Sequence, residues 1–262
     1  MNRPVVAAKR KRVFEPWDIL RGRDVFAQRD LLLKESDSAD LSHWAPNCSS
    51  FSRARERPIP GVRFPPKPLR SVTYPEGIPE VLSRLNPSKR RKLDDDTAMA
   101  KLSAERCIKA RTQGRSFSLE HPLNSLARNL PSWKRLESLQ GVHVTPYHAC
   151  MFEGGERRKA QVLIHNSVAL GSAIGKVCLD SHRCSRTGKP HKSWKPKVSR
   201  GQVVSFTTGE EREYPEGFCS AYAAGVQQSF KHSSSEFTFL EVFSGPNAPL
   251  SQAVGRLVGE KC

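Results

Sequence analysis

Long apolar runs are missing from this chain. No stretch of eighteen or more hydrophobic residues occurs, and the opening "MNRPVVAAKRKRVFEP" lacks the apolar segment of a secretory signal, so the expectation is an intracellular protein with no membrane partner. Hydrophobic residues are scarce in general, at 37% of 262, while 19 prolines and 17 glycines point to long irregular connections. The length still permits one large α/β domain with a real core. A paired cysteine framework is missing too. The seven cysteines are odd in number and irregularly spaced, which in an intracellular chain reads as reduced thiols or metal ligands.

Acidic residues are the other deficit. Lysine and arginine outnumber them 43 to 26, for a net charge of +17. The final stretch, 202–262, is slightly acidic, so the first 201 residues carry the whole excess. A field of that sign attracts polyphosphate, and nucleic acid is the partner it fits; basic tails that bind nothing specific are the alternative. Two clusters concentrate the charge, "KRKR" at 9–12 and "PSKRRKLDDD" at 87–96. On exposed loops such runs are what nuclear import receptors read, which predicts a nuclear address, with phosphate contacts or plain solvated loops as alternatives.

Proline excludes regular structure from "PIPGVRFPPKPLRSVTYPEGIP" at 58–79, which is expected to be an extended loop. Elsewhere the patterning is regular. Helical spacing of Ala98, Leu102, Ala104, Cys107 and Ile108 predicts a helix over 97–113, stopped by Gly114. Strands are expected at 116–122 ("SFSLEHP"), 161–166 ("QVLIHN") and 236–245 ("EFTFLEVFSG"), the last feeding a helix that begins in "PLSQAVGRLVG". Strands that end in Gly or Pro and lead into helices predict an α/β fold: a Rossmann-like, mostly parallel sheet with helices on both faces and long irregular basic loops. The chain divides into a basic tail (1–20), an α/β part (21–170), a short basic Cys/His-rich loop (171–201) and a C-terminal part (202–262).

Several segments then converge on one chemistry. "PNCSSFSRARER" resembles the Pro-Pro-Cys-Gln-Gly-Phe-Ser segment of cytosine-5 DNA methyltransferases, with Pro46, Cys48, Phe51, Ser52 and Ala54 in matching places, and Asn47 and Ser49 as departures. "SLEHP" is similar to the family's Glu-Asn-Val, with His121 and Pro122 departing. "GGERRKAQVLI" is similar to its Gln-x-Arg-x-Arg followed by an apolar strand. "FLEVFSGPNAPLSQAV" resembles its Asp-Leu-Phe-x-Gly-x-Gly-Gly cofactor segment, with Glu241 replacing the aspartate. That last segment normally comes first; here it comes last, as in a circular permutation or in a fragment of a longer mobile-element reading frame.

The resemblance implies a covalent methyl transfer from S-adenosylmethionine to cytosine in DNA. Cys48 would be the nucleophile, Glu120 the acid that binds the ring nitrogen, and Arg157 and Arg158 (or Lys159) the groups that orient the base. Phe243, Ser244 and Gly245 would form the cofactor loop, with Pro46 beside it and Asp30 near the adenine; Glu15 and Asp18 are candidates for the ribose. Such a nucleophile needs a thiol whose pKa is lowered, for which Arg53, Arg55 and the 157–159 cluster are the candidate cations. "FTTGEEREYPEGF" at 206–218 is similar to a later family segment, and no role follows from it. Each of these positions also has an ordinary structural role: a small buried cysteine, a surface glutamate, a solvated basic run. A catalytically inactive nucleic-acid-binding descendant is therefore the alternative to the enzyme.

One constellation lies outside that pattern. "CLDSHRCSRTGKPH" sets Cys178, His182, Cys184 and His191 in one loop, two sulfurs and two imidazoles of the kind that bind zinc. The single residue between His182 and Cys184 strains joint ligation, and a basic DNA-facing loop with incidental cysteines is the competing explanation. A zinc-stabilised binding module with an accidental methyltransferase likeness is the third reading. Trp194, in "HKSWKPK", is a candidate to stack on a base or to sit in the core.

Overall fold

Alternation decides which residues of each strand face which layer. In "SFSLEHP" Phe117 and Leu119 point to one side of the sheet and Ser118 and Glu120 to the other; in "FTFLEV" Leu240 and Val242 oppose Phe237, Phe239 and Glu241. A computed structural model describes residues 8–10, 25–56, 67–194, 197–199, 202–205, 213–231, 237–242 and 249–258. Within these, the chain forms eight strands and seven helices. They are β1 (Ala8–Arg10), α1 (Val25–Ser38), β2 (Leu41–Trp44), α2 (Pro79–Leu82), α3 (Pro87–Thr112), β3 (Ser116–Pro122), α4 (Pro131–Glu137) and β4 (His143–His148). There follow β5 (Ala160–His165), α5 (Val168–Ile174), the small hairpin β6 (Lys197–Ser199) and β7 (Gln202–Ser205), α6 (Glu216–Ser229), β8 (Phe237–Val242) and α7 (Pro249–Val258).

The main sheet has six strands in the order β1-β8-β2-β3-β5-β4. β1, β8, β2 and β3 run parallel; β5 is antiparallel to both its neighbours. One face packs α1, α3 and α4 over Trp44, Phe117, Leu119, Val162 and Leu240; the other packs α5, α6 and α7 over Leu41, Leu163 and Phe239. This is the α/β, Rossmann-like, mostly parallel arrangement with helices on both faces that the patterning predicts.

Local chemistry explains the longest helix. Asn86 caps α3 by accepting from Lys89 N at 2.9 Å, Pro87 occupies the first position, and Leu93, Ala100, Ala104, Cys107 and Ile108 recur on its buried face. It stops at Gly114, whose φ of +70° closes the C-terminal turn. The basic run 87–92 is therefore the exposed first part of a helix, a correction to its reading as a loop. Lys9 and Arg10 of the other run pair with β8 through their backbone. No helix among the described residues is long and apolar enough to cross a membrane.

The last strand lies between the first two. α7, which follows β8, packs back against β1, while α3, the long helix after β2, packs against β3. Chains leaving β8 and β2 thus diverge in opposite directions, and in an open parallel sheet the crevice at the carboxyl ends of such strands is where ligands bind.

Candidate functional site

Two of the central strands, β2 and β8, end level with one another, and β3 continues three residues past that level, to Pro122. Trp44 is in register with both Leu119 and Val242, and Ala45 N donates to Val242 O at 3.0 Å beyond the last rung. Buried Pro46 follows Ala45, then exposed Asn47 and half-buried Cys48, while Glu120 is one residue past Leu119. Cys48 and Glu120 therefore occupy the carboxyl edge at which β8 ends. Phe243, Ser244 and Gly245 lie outside the described residues, as do Glu15 and Asp18.

The Cys48 loop is held from both sides. Asn47 accepts from Ser49 N at 3.1 Å and donates to Asp96 of α3 at 2.9 Å. Cys48 O accepts from Phe51 N, closing a single 3-10 turn, Ser49–Phe51. Beneath it lies Arg70, 1% exposed, which donates to Ser50 Oγ, Thr97 Oγ1, Leu93 O and Pro75 O and stacks 3.7 Å from the Phe51 ring centre. Sequence reasoning missed Arg70, because a lone arginine in a proline-rich stretch looks like surface.

The thiol is not activated as expected. Burial pushes Cys48 up to about 11, the Glu120 carboxylate pushes the same way, and Lys159 opposes both. Of the expected cations, Arg53 pairs with Glu56 at 2.7 Å and the Arg55 side chain lies outside the described residues. Arg157 donates to Ser193 O and lies over Trp194, and Arg158 donates to Cys178 O. Both arginines thus reach the Cys/His loop, and it is Lys159 whose charge acts on both Cys48 and Glu120. Trp194, 37% exposed, is on the surface and not in the core.

Glu120 ends a buried polar chain. Its carboxyl accepts from Gln161 Nε2 and from Tyr214 Oη at 3.3 Å; Tyr214 Oη also meets His43 Nε2 at 3.0 Å. His43 Nδ1 meets Ser118 Oγ at 2.8 Å, and Ser118 Oγ meets Tyr222 Oη at 2.7 Å. One direction of hydrogens satisfies every member: Tyr222 donates to Ser118, Ser118 to His43, His43 to Tyr214, and Tyr214 to Glu120. Burial raises the Glu120 pKa against Lys159, Tyr214 and Gln161, and burial drops His43 to about 3, keeping the imidazole neutral. His121, the departure from the family's asparagine, is fully buried, edge-on to Trp133 at 5.1 Å and Phe51 at 6.0 Å.

The acid of β8 has a definite partner. Glu241 is fully buried and accepts from Ser251 N at 2.7 Å and Leu250 N at 3.4 Å, in the first turn of α7. Asp30 is exposed in the second turn of α1.

The Cys/His loop is brought together differently from the expectation. Cys178, Cys184 and His191 converge with Cys150, and His182 is outside that group. Cys150 lies on a short 3-10 turn after β4, far enough upstream that spacing gave no hint of it.

No protein-family model matches the chain, and no curated protein or solved structure matches it either.

Proposed function

We propose that the chain is a methyltransferase of the cytosine-5 kind, acting on DNA, with the last strand carrying the cofactor segment as in a circular permutation. The observation that carries the proposal is the coupling of Cys48, Glu120 and Lys159 at the carboxyl edge where β2 and β8 end together beside β3. The central place of β8, between the first two strands, favours permutation over a fragment.

S-adenosylmethionine would supply the electrophilic methyl group; Pro46, Asp30 and residues 243–245 would hold it. The carboxyl edge of β8 fits such a ligand. Glu241 already engages the α7 amides and puts negative charge where a dinucleotide's pyrophosphate would need them free, which disfavours a polyphosphate cofactor and suits a cationic sulfonium. Cytosine resists methylation at carbon 5 until a nucleophile adds to carbon 6. The Cys48 sulfur supplies that electron pair, with Lys159 favouring the thiolate as it forms. Glu120, held toward its neutral form by burial, donates a hydrogen bond to the ring nitrogen and offsets the charge that develops there. Sulfur leaves when carbon 5 later loses its proton. The basic surface would offset the cost of taking the base out of its stack, a few kcal/mol, and a DNA substrate accords with a nuclear address.

The test is DNA containing 5-fluorocytosine, incubated with protein and S-adenosylmethionine. An adduct stable to denaturation is expected, absent in Cys48→Ala and strongly reduced in Glu120→Gln. The thiol at about 11 favours a second reading, a catalytically inactive nucleic-acid-binding descendant. No adduct across a pool of target sequences, with DNA binding intact, would select it.

A further inference from the structure

Three sulfurs and one imidazole converge beside β4, in a place the proposed methyl transfer does not use. The ligand atoms of Cys150, Cys178, Cys184 and His191 all lie within 4.8 Å of one another, the three cysteines are buried and unpaired by disulfides, and His191 closes the group from the rim. With zinc–sulfur bonds of about 2.3 Å and zinc–nitrogen bonds of about 2.0–2.1 Å, tetrahedral geometry separates sulfur from nitrogen by about 3.6 Å. Cys178 Sγ and His191 Nε2 are 3.6 Å apart.

The surroundings orient the ligands. His191 Nδ1 faces Ser181 O at 3.1 Å; a carbonyl only accepts, so Nδ1 carries the hydrogen and Nε2 turns its lone pair toward the sulfurs. Ser185 directs its N–H and its hydroxyl at Cys178 Sγ, at 3.3 and 3.2 Å, as donors do for a thiolate. The arm that carries these ligands folds back on itself: Cys184 N donates to Lys189 O, His191 N to His182 O, and Gly188 turns the tip at φ +69°. Arg186 donates to Cys150 O and Phe152 O, and Arg158 to Cys178 O, so two cations flank the group. Apart from these ties little apolar surface holds the arm; Leu179 is 87% exposed.

We propose that Cys150, Cys178, Cys184 and His191 bind one structural zinc ion that fastens the basic arm 176–194 to the segment leading into β5. Three thiolates and an imidazole form a closed tetrahedral set with no position left for substrate, and soft sulfur with borderline nitrogen selects zinc over calcium or magnesium. The proposal stands independently of the catalytic reading, because Cys48 and Glu120 contribute no ligand.

The test uses the full chain purified without added metal. About one zinc per chain is expected, falling to about zero in Cys150→Ser and retained in His182→Ala. Cobalt(II) exchanged into the wild-type protein should show the visible bands of a tetrahedral site with thiolate charge transfer. Should Cys150→Ser fail to fold, alkylation of wild type read by mass spectrometry decides. Cys150, Cys178 and Cys184 should be protected together and become reactive together when a chelator removes the metal. Metal-free protein, a disulfide among the three cysteines, zinc lost from His182→Ala but kept in Cys150→Ser, or alkylation of Cys150 indifferent to the chelator would each overturn it.

Discussion

Replacing Arg70 with methionine tests how the Cys48 loop is held. Methionine keeps much of the aliphatic stem but removes the guanidinium, with its stacking on Phe51 and its four hydrogen bonds, to Ser50, Thr97, Leu93 and Pro75 at 2.7–3.0 Å. At the low end of about 1.5 kcal/mol for each bond from a charged donor, they amount to about 6 kcal/mol. Against this stands the cost of keeping the charge buried: burial lowers Arg70 to about 10 from 12.5, equivalent to about 3 kcal/mol. The difference predicts a net loss of about 3 kcal/mol, near the lower bound for breaking a buried charged network. At the usual unfolding entropy per residue, a chain of this size should lose about 6 °C in melting temperature. Urea unfolding gives the free energy and calorimetry the midpoint. Ser50 and Phe51 belong to the turn that Cys48 opens, so Arg70→Met should also speed alkylation of Cys48, while Arg53→Ala, at an exposed ion pair, should not. A loss under about 1 kcal/mol with unchanged Cys48 reactivity would refute the idea that Arg70 organises this loop.

Acid should destabilise the fold before most carboxylates titrate. His43 and His121 are each held at about 3 by burial, against 6.5 unfolded, so between these values the unfolded chain binds more protons and stability falls as pH drops. Two such groups give a slope of about 2.7 kcal/mol per pH unit near pH 5, steepened by His165, which burial lowers to about 4, and lessened by Glu120 and Asp96, whose raised values act in the opposite direction; a melting temperature flat from pH 7 to 5 would contradict this. In Gly155→Ala the added carbon would stand 2.0 Å from Ala149 O, a backbone atom that cannot turn aside, and a loss of at least about 2 kcal/mol is expected in denaturant titration. Tyr214→Phe removes the hydroxyl between His43 and Glu120, for a loss of about 1–2 kcal/mol and a further rise in the Glu120 pKa, measurable by carboxyl-selective NMR titration.

Strong periodicity made some elements readable. The strands expected at 116–122, 161–166 and 236–245 are observed at Ser116–Pro122, Ala160–His165 and Phe237–Val242, because apolar residues bounded by Gly, Pro or Asn leave few alternatives. The helix expected from 97 begins ten residues earlier. Its first turns are basic and exposed, so no apolar stripe marks them, and the cue was the Asn86–Pro87 cap. β2 was harder to see: "LSHW" is four residues long and buries serine and histidine, which are satisfied by Trp44 of the same strand and by Ser118 of β3 and Tyr214.

Local order therefore determined the strands, the helix stops and the reservoir of sulfur, imidazole and positive charge, since these depend on residues a few positions apart. Tertiary structure alone decided which of them meet. Placing β8 between β1 and β2 set the ends of β2 and β8 side by side, next to Glu120 of β3; the packed fold gave Lys159 rather than its neighbouring arginines to Cys48 and buried that thiol enough to raise its pKa. It also exchanged His182 for Cys150 in the cysteine cluster. The physical reason is the same throughout: burial and charge coupling act over a few ångströms of space, and separation along the chain carries no record of those distances.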